Sequence, residues 1–124
     1  MDINPSFTST PYAPDRLIAG DFPLVTETVT VAAGQNLVRG ALLGKVTAGG
    51  QYVLSLAAAV DGSQTPVAIL VADADASAGA LTAGIYVSGE FNDNAVTFGT
   101  GHTAASVKDG LRDLGIYLKS PVPA

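Results

Sequence analysis

The sequence predicts a mainly β domain with a short helix, residues 25–124, preceded by an extended arm over residues 1–24. Three observations carry this. Four of the seven prolines, Pro5, Pro11, Pro14 and Pro23, fall before Leu24. From Leu24 onward, short apolar-alternating runs are separated by Gly, Asp-Gly and Asn-rich turn signals. A single stretch, 103–114, carries apolar residues at helical spacing.

In the arm, each X-Pro step favours extended geometry, and proline cannot donate to a central ladder, so the segment is expected to lie outside the core. It nevertheless spaces Phe7, Tyr12, Leu17, Ile18 and Phe22 along its length, more large apolar groups than a solubilising tail needs. These five read as anchors for docking on other protein. Fully extended, about 23 residues reach ~75 Å, enough to cross a neighbouring subunit.

The run VTETVTV, 25–31, puts Val25, Glu27, Val29 and Val31 on one face and threonines on the other. Glu27 interrupts the apolar face and marks an edge strand. LVRGALLGKV, 37–46, is a strand region bent or bulged at Gly40 and Gly44. AGGQ, 48–51, turns into YVLSLA, and VDGS, 60–63, turns into PVAILVA. DADASAGA, beginning at Asp73, is a small-residue loop. LTAGIYVSGEF, 81–91, is a further strand, followed by an Asn-Asp-Asn turn into a short one. The helix over 103–114 places Ala104, Val107, Leu111 and Leu114 on one stripe, with Thr103 as its cap and Gly115 at its end. Gly110 costs it about 1 kcal/mol relative to alanine, so it depends on docking against the sheet. Ile116 to Lys119 returns as a last strand, stopped by Pro121 and Pro123.

At 124 residues the chain is one domain, burying about two thirds of its unfolded surface. Charged residues make up 14% and hydrophobic ones 48%, against about 25% charged in ordinary soluble domains. Neutral or apolar surface must therefore remain outside the core, and partner protein is expected to cover it. Eleven acidic and six basic residues give a net charge of −5 with no Lys/Arg cluster, which argues against direct nucleic-acid binding. Without cysteine there are no disulfides or thiolate sites. The start MDINPSF shows no secretory signal, and Asp73 and Asp75 break the most apolar stretch, 67–87, so neither export nor a membrane span is expected and the protein is made for use in the cytosol.

No catalytic, cofactor or metal site is expected. His102 is the single histidine, with no base or second ligand near it in sequence, and reads as a surface or packing residue. Asp73 and Asp75 lack the further oxygen ligands of a calcium loop. Glu90 and Asp93 could form a carboxylate pair, but Asn92 and Asn94 favour a turn. Gly99 to Gly101 lacks the Lys-Ser/Thr of a phosphate loop. On the helix, Lys108, Asp109, Arg112 and Asp113 form a solvated face, with Asp109 and Arg112 spaced to pair.

The order VTVAAGQNLVRGALLGKV, GGQYVLS, VDGSQTPVAILVADADASAG, GEFN at 89–92 and AASVKDGLRDLGIYLK resembles the lambda-type bacteriophage head decoration protein family, from about Thr28 to Lys119. The single pieces are weak signals; their order and spacing are specific. The resemblance implies a compact β-clip-like domain with short helical segments. It also implies a structural, non-enzymatic role: homotrimers on the outer capsid surface of the virion, at three-fold and quasi-three-fold positions, clamping the shell after expansion. The implied partner is the major capsid protein, met by an N-terminal arm that adds a strand to a capsid sheet. Residues 1–24 match that arm in position and character, not by a motif. Two other readings stay open on residues alone: a different virion component such as a tail or fibre-tip protein, and a β-clip enzyme or ligand-binding module.

Overall fold

A computed structural model describes residues 17–120. Its strands are β1 (Val25–Val31), β2 (Asn36–Leu37), β3 (Leu42–Lys45), β4 (Tyr52–Leu54), β5 (Pro66–Leu70), β6 (Ala74–Asp75), β7 (Leu81–Asn92) and β8 (Ile116–Lys119). The helix α1 spans Ala104–Arg112. The mainly β class with a short helix is as expected, and the body is barrel-like. The main sheet runs β1-β4-β3-β5-β7-β8, and β1 pairs again with β7, so five strands close on themselves while β8 extends the sheet in parallel beyond β7.

Adjacent residues of the central strands enter different cores. Leu42, Ile69 and Tyr86 pack with Phe91, Val107, Leu111, Ile116 and Leu118, while Leu43, Leu70 and Ile85 pack with Val31, Leu37, Ala41 and Ala68. Side chains alternate between the faces of a strand, so both faces of this sheet are buried. That explains the apolar runs LLG and AIL, which would be half polar on a one-sided sheet.

The expected turns hold. β3 and β4 form an antiparallel hairpin with Leu43 opposite Leu54 and Lys45 opposite Tyr52, closed by a bond from Val46 N to Gln51 O. At VDGS, the Asp61 carboxylate accepts from the backbone N and the hydroxyl of Ser63, which lowers its pKa. Register shifts between Leu43 and Gly44, the bulge expected at that glycine. A Cβ there would run into the Ser63 carbonyl, so the backbones meet only because residue 44 has none.

Three expectations need correction. The strand region 37–46 is two strands: Arg39 donates its backbone N to Asp73 Oδ1 and Gly40 its N to Leu70 O, which turns the chain between β2 and β3. DADASAGA is not all loop, since Ala74 and Asp75 form β6 against β2. The short strand after the Asn-Asp-Asn turn shrinks to one bridge, Thr97 to Ala41. The edge reading of 25–31 holds for most of its length, because β4 meets β1 only at Val31.

The helix forms for the expected reasons. Thr103 and Ser106 exchange side-chain to backbone bonds in a capping box, and Val107 and Leu111 are buried. Asp109 and Arg112 pair on its outer face. Leu114, expected on the buried stripe, lies beyond the last turn and is 47% exposed.

Candidate functional site

The chain enters the domain along β7. Leu17 accepts at its carbonyl from Asn92 N, Ile18 bridges antiparallel to Phe91, and Ala19 N donates to Glu90 O. Ser88 Oγ donates to the Pro23 carbonyl, and Val25 then starts the ladder of β1 opposite Ser88. Residues 17–31 thus follow the whole of β7, with an irregular stretch from Gly20 to Leu24 where Pro23 cannot donate.

Leu17 is 2% exposed and belongs to the core cluster with Phe91 and Val107. The expectation that everything before Leu24 lies outside the core is corrected here: apolar burial outweighs the proline-rich setting, and Leu17 with Ile18 moors the root of the arm on its own domain. Phe22 is half-exposed and meets Tyr117 edge-on, ring centroids 4.9 Å apart. Phe7 and Tyr12 lie outside the described residues.

Glu90 fastens this root. Its Oε1 accepts from Phe22 N at 3.1 Å and its Oε2 meets Lys119 Nζ at 3.0 Å. A Cβ on Gly20 would collide with the same carboxylate. The Lys119 ammonium, and then the backbone donor of Phe22, hold the Glu90 carboxyl below the usual glutamate range. A carboxylate with a lowered folded-state pKa adds stability above its unfolded value, about 4.3, that is lost as pH falls through the folded one. Acidification from about pH 6 to about pH 3 is therefore expected to lower the protection factor of the Phe22 amide, its exchange measured against the intrinsic rate at each pH. Glu90→Gln flattens that profile if the carboxylate is the cause; an unchanged profile in the variant assigns it elsewhere, for instance to Asp61 or Asp75, which are lowered by Ser63 and Ser77. The turn reading of 90–94 also holds: Asn92 Oδ1 accepts from Asn94 N, and Asp93 takes Ser120 Oγ at 2.7 Å, not Glu90.

Exposed apolar side chains gather beside the root. Phe22, Leu24 and Val25 are 39%, 44% and 48% exposed and follow one another at the start of β1. The ends of the described chain share one pole, since Leu17 bonds Asn92 and Ser120 bonds Asp93. This juxtaposition was not legible in the sequence, because Glu90, Lys119 and Phe22 belong to three segments; the single clue was the apolar pair Leu17-Ile18 just before Gly20.

His102 is a packing residue. The buried Ser55 hydroxyl donates to Ser63 O at 2.6 Å, so His102 Nε2, 3.1 Å away, is the donor to Ser55 Oγ. It lies at the rim of an apolar cleft of about 510 Å³ between α1 and the start of β5, lined by Pro66, Val67, Val107 and Leu114. Among the described residues no group of three or more His, Asp or Glu could hold a metal ion, and no helix is long and apolar enough to cross a membrane.

A comparison with curated proteins gives no match. The family model of bacteriophage lambda head decoration protein D matches residues 6–117, nearly the whole chain, from within the arm to β8. The chain belongs to the bacteriophage lambda head decoration protein D family, and its place is on the capsid of a phage head.

Proposed function

We propose that this protein is a cement of the mature phage head: homotrimers on the outer surface, at three-fold and quasi-three-fold sites, each arm adding a strand to the major capsid protein. The observation that carries this reading is the moored root. Leu17 and Ile18 fix where the arm leaves the domain, with Phe22 half-exposed close by, and Phe7 and Tyr12 are the further anchors of this reading. Because residues 17–24 are already ordered, docking avoids an entropy cost of about 1–2 kcal/mol for each of them. Burying each further anchor contributes about 1.5–3 kcal/mol, and strand addition supplies main-chain hydrogen bonds. Three linked arms raise avidity by ~10²- to 10⁴-fold over one. The low share of charged residues, 14%, suits a surface covered by neighbours.

Two measurements on the full-length protein test it. Sedimentation equilibrium is expected to give three times the chain mass of 12.4 kDa. Co-sedimentation is expected to show saturable uptake by mature heads and none by unexpanded shells, whose lattice has not yet formed the sites. Equal uptake by both shells refutes the cement role, and a stable monomer refutes the trimer.

A further inference from the structure

One flank of β1 is left open. Over Val25–Thr30, β1 has β7 along one side and, among the described residues, no strand along the other, since β4 reaches it only at Val31. Val25 to Thr28 are exposed. Proteins usually guard such an edge with Lys, Pro or a bulge facing solvent. Here the stretch TETVT, exposed over Thr26–Thr28, carries Glu27 as its single charge, has no Lys, Arg or Pro, and has its one register shift at its start, between Val25 and Thr26. It is rich in Thr and Val, residues that favour strand pairing.

Its neighbourhood indicates the occupant. Leu24 and Val25 add exposed apolar surface at the start of the edge, and the same run of chain continues into the arm root, so a partner reached by the arm lies next to it. The single charge on the edge is the exposed Glu27. A basic strand is complementary.

We propose that the open edge of β1, Val25–Thr30, takes up an extended strand of the head shell that carries a Lys or Arg across from Glu27. This rests on the head-docking reading above and adds to it a second ladder, in which the shell lends the strand and this domain provides the sheet.

Hydrogen exchange on the full-length protein, free and bound to mature heads, tests the ladder, and Glu27 variants test the charge. Amides of 25–30 that point away from β7 are expected to exchange at least about tenfold more slowly on heads than in free protein. Glu27→Lys is expected to weaken head binding about tenfold, with Glu27→Gln between it and the parent and thermal unfolding unchanged in both. Decorated heads with undiminished exchange through 25–30, or with Glu27→Lys binding like the parent, overturn the inference and leave the cement role standing. Protection that rises with protein concentration in the absence of heads gives the edge to a second copy and also overturns it. Failure of the unaltered protein to bind heads removes the docking reading, and the inference with it.

Discussion

Removing residues 1–15 is expected to leave a folded domain that no longer decorates heads. The cut spares Leu17, 2% exposed, together with its bond from Asn92 N and the Ile18 bridge to Phe91, so the core and the arm root survive. It removes Phe7 and Tyr12, two of the proposed anchors. Thermal unfolding is expected to shift little, while affinity for mature heads in co-sedimentation falls by at least ~10²-fold, the gain expected of the three tethered contacts proposed above. A cut after Leu17 is a different experiment. It opens a cavity worth about 2–5 kcal/mol and confounds folding with binding. Unaltered decoration by the shorter truncation removes the arm from the docking mechanism.

The largest loss of stability is expected for Phe91→Ala. Phe91 is fully buried, sits with its ring 5.3 Å from that of Tyr86, and bridges to Ile18. It belongs to β7, pairs with Ile18 at the arm root and lies in the same core cluster as Val107 and Leu111 of the helix. Truncating a buried phenylalanine costs about 3–5 kcal/mol, a large part of the 5–15 kcal/mol typical of a domain. In a domain of this size that lowers Tm by on the order of 10–20 °C, read by calorimetry. Phe22→Ala trims a half-exposed ring and is expected to cost about 1 kcal/mol. Similar costs for the two would mean that Phe91 is not the keystone of this core.

Much of the fold was legible because its signals are local. The helix over 104–112 follows from the Val107–Leu111 spacing and the Thr103 cap, and β8 from four residues held between Gly115 and Pro121. The bulge at Gly44 was visible as a glycine inside an apolar strand. What escaped depends on distant pairing. β2 and β6 are two residues each, too short to show a period. Leu17 was read with the prolines around it, although its burial is decided by Phe91 and Val107 far along the chain. The anchors Phe7, Tyr12, Leu17, Ile18 and Phe22 formed one set in the sequence; the structure gives Leu17 and Ile18 to the domain itself. Glu90 was read beside a turn, and its ion pair stayed hidden because only the pairing of β8 with β7 brings Lys119 alongside it.

The lie of residues 17–31 along β7 has a mechanical meaning. Force arriving through the arm parallel to that strand loads its cross-links in shear, many at once, instead of peeling them one after another. If the arm docks on the head as proposed, stretching of the container wall is spread through the barrel, and the tether resists best in the direction in which it runs.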